Sequence, residues 1–340
     1  AGNSITSGGN YNVLVGDEAG TALTTGDNNV AVGYAALDAE DTGTDSVAVG
    51  YNALTAQNND AANHNVAVGS SAGAAVTTGT RNTLIGGLAG DALTTGSRNV
   101  GLGYGALTSD VLGSKSIAVG HGALFNQNFT TATDSFNTAV GHDAGVSVTT
   151  GTLNTFFGGL AGDAFTDAQH NTAIGYQALT SDTQGDRSVA VGSNTLNSQN
   201  GVNGNVYNTA VGYGAGQNVT SGIQNTLVGG LSGDALTDAD FNTALGVIAL
   251  GSDTLGSHNT ALGHGTLSVQ NFTTATDAYN TAVGSQAGTA VTTGIENTIV
   301  GGRAADALTT GQENVVIGQQ ALTADTKGNH STAIGHAALF

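Results

Sequence analysis

The sequence predicts an all-β fold, a parallel β-solenoid of 19 coils with about 17 residues per coil. Three observations predict it: a five-residue motif recurs along the whole chain, the step between its copies is almost constant, and the apolar residues show no 3.6-residue helical period. A 17-residue repeat is too short for a pair of helices, but it accommodates two short extended segments and two Gly-rich corners. We therefore expect residues 1–340 to form a single continuous domain.

The motif begins with Asn or Ser, continues with a β-branched residue and two apolar residues, and ends with Gly, as in NVAVG at 29–33. The 19 motifs begin at Asn12, Asn29, Ser46, Asn65, Asn82, Asn99, Ser116, Asn137, Asn154, Asn171, Ser188, Asn208, Asn225, Asn242, Asn259, Asn280, Asn297, Asn314 and Ser331. The second residue is always Val, Ile or Thr, which favours a strand. The motif is therefore expected to be the extended part of each coil.

A longer period lies above the 17-residue step. The step lengthens to roughly 19–21 residues at four places, where it leads into Asn65, Asn137, Asn208 and Asn280. Four types of turn therefore succeed one another in a superperiod of about 71–72 residues. With strands about 4.8 Å apart, the 19 coils predict a rod on the order of 90 Å long.

Each motif position has a physical interpretation. The closing Gly, from Gly16 to Gly335, indicates a corner with positive φ or a close backbone approach. The opening Asn residues should stack into a hydrogen-bonded ladder. The third and fourth residues point to opposite faces of the strand, yet both are apolar, so both faces should be covered. We expect one face to fill the solenoid core and the other to pack against a neighbouring chain.

Composition excludes several classes of function. The net charge of −19 repels phosphate backbones, so nucleic acid is not expected as a partner. No apolar run approaches the roughly 20 residues that span a bilayer, so membrane insertion is not expected either. The absence of Cys removes disulfides and thiolate metal sites and is compatible with a secreted protein. No phosphate loop, G-x-S-x-G elbow or HExxH motif is present, so we do not expect an enzyme.

The motifs NTAVG, SVAVG and NTAIG, followed by a small residue and a Gly-containing corner, resemble the head repeats of trimeric autotransporter adhesins. Similar repeats occur in phage tail fibres. The resemblance covers the whole chain, but the 17-residue step and the four-turn superperiod depart from the family pattern. It implies a left-handed β-roll, a homotrimer of chains packed side by side, and a location at the surface of a cell or virion.

The two ends of the sequence predict contacts between copies. Placing Ala1 after Phe340 gives a step of about 21 residues from Ser331 to Asn12, the length of a long turn. The alignment also sets Asn3 on Asn128 and Tyr11 on Phe136. We therefore expect head-to-tail stacking, since such contacts generate filaments. The alternative interpretation is that the chain is a segment of a much longer repeat protein. The expected polymer contacts are Ala1, Asn3, Ile5, Tyr11, Ala338, Leu339 and Phe340.

Two sets of residues are candidate metal ligands. Carboxylates of successive turns could hold calcium, although the calcium-binding GGxGxD signature is absent; they are Asp91, Asp110, Asp163, Asp182, Asp234 and Asp253, with Asp306 and Asp325 in the last block. Solvated corners are the default interpretation of these aspartates, and calcium binding is the alternative. His121, His142, His264 and His336 follow the motif Gly. Only His121 and His142 lie on successive turns, and without a third ligand we interpret them as corner residues.

The function predicted from these features is that of a structural subunit of an extracellular filament, without a cofactor other than calcium. The alternative is the spacer or head region of a surface adhesin or phage tail fibre. A third hypothesis is ice binding, because TTG corners such as 24–26 and 149–151 resemble Thr arrays that order water. The NFT sequences at Asn128 and Asn271 also match a glycosylation sequon.

Overall fold

A computed structural model describes residues 1–339 of the chain, which form a parallel β-solenoid of 19 turns without a helix. The predicted all-β fold class, the number of turns and the 17-residue step are confirmed. Contacts divide the chain into two compact units, residues 1–170 and 171–340, and each unit is described by itself. The left-handed sense and the single continuous domain stay predictions.

The first unit contains nine motif strands of three residues each. They are Val13–Val15, Val30–Val32, Val47–Val49, Val66–Val68, Thr83–Ile85, Val100–Leu102, Ile117–Val119, Thr138–Val140 and Thr155–Phe157. Two shorter strands, Gly113–Ser114 and Thr133–Asp134, pair on a second side of the turns. This unit therefore has one long ladder of strands and one short one.

The second unit contains ten motif strands. They are Thr172–Ile174, Val189–Val191, Thr209–Val211, Thr226–Val228, Thr243–Leu245, Thr260–Leu262, Thr281–Val283, Thr298–Val300, Val315–Ile317 and Thr332–Ile334. Its short strands are Gly185–Asp186 with Gly204–Asn205, and Gly256–Ser257 with Thr276–Asp277. Within each unit the strands are parallel and pair in register, so residues at the same motif position lie above one another.

The core is filled by the third motif residue, while the second and fourth face outward. Ala31, Leu84 and Phe156 at the third position are fully buried. The residues on either side of them in the strand are half-buried or exposed. The predicted division of the strand into a core face and an outward face is confirmed.

Two classes of turn explain the superperiod. In a glycine turn, the fourth residue after the motif Gly is Gly, or Ala305 once, and the seventh is apolar. In a leucine turn, the fourth is Leu and the seventh is Glu, Asp or Gln. The classes alternate in pairs, for example Gly73 and Gly90 followed by Leu107 and Leu124. Two glycine turns and two leucine turns therefore make one block of about 71–72 residues.

Core volume explains why the classes differ. A Cβ added to Gly90 would lie 2.7 Å from Leu84 Cδ2, and one added to Gly162 would lie 2.3 Å from Phe156 Cε1. In the second glycine turn of each pair, the bulky third motif residue therefore occupies the space that Leu fills in a leucine turn. In the first glycine turn the third residue is Ala, and a Cβ added to Gly73 would instead lie 2.9 Å from Leu84 of the next turn. Because interiors are close-packed, exchanging one partner alone would leave a cavity or a clash.

Buried Asn residues form the predicted ladder. Asn29 donates a backbone N–H to Asn12 Oδ1 at 2.8 Å, which links two successive turns. The Asn12 side-chain amide donates to the Gly26 carbonyl at 2.8 Å, 14 residues further along. The ladder prediction is confirmed, with a correction: most bonds join a side chain to the backbone, not one amide to the next.

The residue before each motif adopts a left-handed backbone conformation that sequence analysis did not predict. All 19 have φ between 49° and 63°, as at Arg81 with 60° and Phe136 with 50°. None is β-branched, in keeping with the steric cost of this conformation for branched side chains. Proline is also excluded from these 19 positions, because its ring fixes φ at about −65°.

The closing Gly of each motif combines positive φ with close approach, as expected. Gly86 has φ +133°, and a Cβ there would lie 2.4 Å from the Gly103 carbonyl oxygen of the next turn. Neighbouring Gly87 is different, because its added Cβ would make only ordinary contacts, at 3.4 Å with the Tyr104 ring and 3.9 Å with the Ser70 carbonyl oxygen. The two adjacent glycines therefore form a matched pair.

Gly86→Ala should destabilise the solenoid by at least about 2 kcal/mol, because a strained backbone and a backbone clash act together. Gly87→Ala, the control, should change stability by less than about 1 kcal/mol. The measurement is urea unfolding followed by circular dichroism. Equal midpoints for the two variants would contradict the ladder of close glycine contacts.

Candidate functional site

The leucine turns contain a buried carboxylate that sequence analysis placed at a solvated corner. Asp110 is fully buried. Its Oδ1 accepts hydrogen bonds from the Gly113 N–H at 3.0 Å and the Phe129 N–H at 3.3 Å. Its Oδ2 accepts one from Gln127 Nε2 at 2.6 Å. Both carboxylate oxygens are thus bonded within the chain.

Gln127 carries this network from one leucine turn to the next. Besides Asp110, its Nε2 donates to Ser116 Oγ at 2.8 Å. Its Oε1 accepts from Asn137 Nδ2 at 2.9 Å. The same arrangement recurs with Glu40 and Gln57, with Asp182 and Gln199 and, apart from the Ser contact, with Asp253 and Gln270. It is a buried polar network specific to the long turns.

This network explains why Ser opens most long turns. Ser46, Ser116 and Ser188 each accept a hydrogen bond from the Gln of the same turn. Elsewhere Asn bonds a carbonyl 14 residues later, but in a long turn the Gln side chain occupies that region. The exchange of Asn for Ser therefore makes room for the Gln amide.

Burial determines the electrostatics of the network. Loss of solvent raises the pKa of Asp110, Asp182 and Glu40, while the hydrogen bonds from Gln and the backbone act in the opposite direction. A carboxyl whose pKa is raised on folding adds stability below its unfolded pKa of about 4. That contribution is lost as the pH rises through the folded pKa.

The structure gives the calcium hypothesis no support at the three buried aspartates. The oxygens of Asp110, Asp182 and Asp253 accept N–H groups, so they do not face a solvent-accessible cation. The solvated-corner interpretation is wrong for them, because they are buried. The other candidates, Asp91, Asp163, Asp234, Asp306 and Asp325, are half-buried.

His121 and His142 occupy exposed corners of successive turns, as expected, but a third candidate ligand was missed. Their rings stack with centroids 5.0 Å apart. Asp143 lies beside both, with Oδ1 3.4 Å from His121 Nδ1 and Oδ2 3.1 Å from His142 Nδ1. Among residues 1–339, these three form the one group of His and acidic residues close enough to share a metal ion. The sequence signal was Asp directly after the second His.

The outer face, formed by the second and fourth motif residues, is the main apolar surface of each unit. Its strongly exposed members are Val13, Val15, Leu102, Ile117, Phe157, Ile174, Val211, Leu245, Val315, Ile317 and Ile334. Phe157 is 56% exposed. Because the strands are in register, the fourth motif residues form one apolar column in each unit. The second motif residues form a neighbouring column that is mostly Val or Ile in the first unit and mostly Thr in the second. Contiguous apolar surface of this kind marks interaction sites.

The TTG corners do not form a flat threonine surface on a strand. Their first Thr hydroxyl usually bonds the next turn, as when Thr77 Oγ1 donates to the Thr94 carbonyl at 3.3 Å and Thr94 Oγ1 to that of Val111 at 3.0 Å. These residues lie in bends between strands. Asn128 and Asn271 of the two sequons are exposed, so glycosylation stays a prediction.

The polymer contacts predicted at the N-terminus are exposed, but the expected alignment is shifted. Thr6 donates its N–H to the Thr24 carbonyl at 3.1 Å, as Asn128 does to Thr149 at 2.9 Å. Thr6, and not Asn3, therefore occupies the place of Asn128, and the loop of this turn is shorter than the alignment predicted. The exposed fraction is 86% for Tyr11 and 39% for Ile5, and Ala1 is also exposed.

The two ends of the described chain belong to different turn classes. Gly2 donates to the Ala19 carbonyl at 3.0 Å, and Ile5 donates to the Gly2 carbonyl, which is the pattern of a glycine turn. Ala338, which accepts the Leu322 N–H at 2.8 Å, and the exposed Leu339 are in a leucine turn. Phe340 lies outside the described residues. The head-to-tail contacts stay a prediction.

None of the described residues forms a helix long and apolar enough to cross a membrane. No protein-family model matches the chain, and no curated protein is significantly similar to it. The solenoid architecture is thus established by the structure, while the resemblance to adhesin heads and tail fibres gains no support from these comparisons.

Asp110→Asn should lower the free energy of unfolding by about 1–3 kcal/mol at pH 7, because the new amide would set an N–H donor against the donor of Gln127. Rotating the Gln127 side-chain amide by 180° would not help, because its NH₂ group would then face the donating Nδ2 of Asn137. The measurement is thermal or urea unfolding.

Asp91→Asn is the control, because the half-buried Asp91 only accepts a bond from the Thr108 hydroxyl, which an amide oxygen can also accept. The pH gives a second readout: lowering it from 7 towards 4 should stabilise the wild type more than Asp110→Asn. Identical pH profiles would refute a buried ionised carboxylate at Asp110.

Proposed function

We propose that the chain is a structural subunit of an extracellular filament, whose copies pack laterally as a homotrimer and stack end to end. The observation that carries the proposal is the apolar outer face. In the first unit, 15 of its 18 positions are Val, Ile, Leu or Phe, and the rest are Thr. A parallel strand that is apolar on both faces is ordinarily covered on both.

The structure offers no competing use for this face within either unit. The core is already filled by the third motif residues, which apart from the partly buried Leu14 are fully buried or nearly so. The outer columns are straight because strands pair in register, so a second copy could present matching columns over many turns. Burying apolar surface contributes about 25 cal/mol per Å², and the repeat multiplies a small gain per turn.

End-to-end stacking is supported by edge strands. Within the described residues, Val13–Val15 pairs only with Val30–Val32, and Thr332–Ile334 only with Val315–Ile317. An unpaired strand edge presents N–H and C=O groups that can extend the sheet. Residues 1–12 already form part of the turn that precedes Val13–Val15. A stacked copy would therefore have to add its own turn beside them.

An extracellular location is part of the proposal, supported by the absence of Cys and by the resemblance to surface adhesins. The spacer or head of a surface adhesin or phage tail fibre would use the same lateral packing. It differs in the end contacts, because a spacer is continued by other segments of its own chain.

Phe157→Glu should abolish lateral association, since a charge in the middle of an apolar interface is costly to bury. The wild type should sediment as a trimer or a multiple of trimers, and the variant as a monomer. Analytical ultracentrifugation at several concentrations provides the measurement, and negative-stain microscopy shows whether filaments form.

Tyr51→Glu is the matched control, because Tyr51 is 55% exposed but lies at the corner and not on the outer face. It should associate like the wild type. A monomeric wild type, or the same loss of association in both variants, would remove the lateral contact from the proposal.

Ice binding is a second candidate, now favoured by a different surface. In the second unit, Thr occupies the second motif position on six successive turns, at Thr209, Thr226, Thr243, Thr260, Thr281 and Thr298. These side chains are half-buried or exposed on the outer face, beside an aliphatic column. A regular array of Thr on paired strands can order water, whereas the TTG residues lie in bends between strands.

Thr243→Tyr should abolish inhibition of ice recrystallisation if the outer face binds ice, because the larger side chain breaks the flat array. Thr293→Tyr, in an exposed TTG corner, should have no effect. The assay is microscopy of ice crystals held just below freezing. A stable trimer without inhibition would exclude ice binding, since both functions require the same face.

A further inference from the structure

We propose that His121, His142 and Asp143 bind a divalent transition-metal ion of the kind that imidazole and carboxylate ligands favour, with zinc as the representative ion. The site is independent of the outer face and of the proposed assembly. It lies at one corner of two successive leucine and glycine turns in the first unit.

The backbone brings the two imidazoles together. The strands Ile117–Val119 and Thr138–Val140 pair in register, so the residues after their closing glycines lie above one another. Asp143 donates its N–H to the His121 carbonyl at 2.9 Å, which fixes the corner. The two rings are nearly parallel, with 9° between their planes, and Tyr104 stacks on the other side of His121.

The structure contains a space for the carboxylate. A Cβ added to Gly122 would lie 2.2 Å from Asp143 Oδ1, so the oxygen occupies room that any other residue at 122 would fill. Asp143 has φ +53°, the conformation that also occurs at Gly122 with φ +65°. The Asp143 carboxylate is therefore positioned next to both the His121 and the His142 imidazoles.

The distances match a ligand set. In a tetrahedral zinc site with bonds of about 2.0–2.1 Å, the ligand atoms lie roughly 3.3 Å apart. The carboxylate oxygens of Asp143 are 3.4 Å from His121 Nδ1 and 3.1 Å from His142 Nδ1. All three ligand atoms lie within 4.8 Å of one another. The two exposed rings stack nearly parallel, so they have to rotate relative to one another to direct their Nδ1 lone pairs at one ion.

The ligand chemistry selects the ion. Two imidazole nitrogens suit zinc, copper or nickel, whereas calcium and magnesium prefer oxygen. The side chains of His121 and His142 are 57% and 66% exposed, so water would complete the coordination shell. Without the metal, His121 Nδ1 and Asp143 Oδ1 share a hydrogen bond at 3.4 Å, and metal binding would replace it with coordination.

The chain contains an internal control for this site. In the second unit, His264 stands at the same corner, and Gln286 donates its N–H to the His264 carbonyl at 2.9 Å, as Asp143 does to His121. However, Ser285 replaces the second His and Gln286 replaces the Asp. Gly265 again leaves the space below the side chain. The same corner thus exists without the ligand set.

The test is isothermal titration of the tag-free full chain with zinc chloride in HEPES at pH 7.5. Wild type should show one saturable site. His142→Ala and Asp143→Asn should each weaken binding at least tenfold, while His264→Ala should leave it unchanged. Circular dichroism and unfolding midpoints show whether each variant is folded.

A gain-of-function variant makes the test independent of damage to the fold. Ser285→His combined with Gln286→Asp should raise the stoichiometry from one zinc ion per chain to two. Cu²⁺ electron paramagnetic resonance should show nitrogen coupling that Asp143→Asn and His142→Ala alter. No saturable binding in the wild type, equal binding in His142→Ala, or equal loss in His264→Ala would overturn the proposal.

Discussion

Every turn of this solenoid depends on the position of one buried polar side chain between two turns. An Asn such as Asn82 accepts the N–H of the next Asn and donates to a carbonyl 14 residues further along. The two bonds together fix both the length of a turn and its height above the previous one. Because a buried amide without partners costs about 1–3 kcal/mol, changes in turn length require a substitute network. The acid of the first leucine turn, together with the Gln and Ser of the long turn that follows, provides it.

The substitute network also connects local packing to the longer period. Leucine turns place Leu where glycine turns leave space for a bulky strand residue, and only leucine turns have an acidic or amide group at the seventh position. The acid stands in the first leucine turn and the Gln in the second, so the pair satisfies itself only when the two turns are stacked. The space available in the core and the need of buried polar side chains for hydrogen-bond partners therefore impose the same four-turn order.

Much of the fold could be predicted from the sequence, because the motif carries its own physical signals. β-Branched residues, the closing Gly and the alternation around a small third residue indicated the strands, the corners and the core face. The positions of Asp110 and Asp143 could not be predicted in this way. An isolated Asp in a sequence suggests a solvent-exposed side chain. The partner of Asp110, Gln127, is 17 residues away in the chain, and the partner of Asp143, His121, is 22 residues away. Only the stacking of turns, whose lengths vary, brings these groups together.

The pairing of turn classes limits how such a chain can change in length. Repeats are commonly gained or lost by unequal recombination, which joins a sequence to a displaced copy of itself. A displacement of one turn would stack an acid beneath a residue that cannot bond it, or Leu against a bulky strand residue. A displacement of four turns restores every neighbour. The four-turn block is therefore the unit in which the gene can lengthen or shorten without leaving a defective junction.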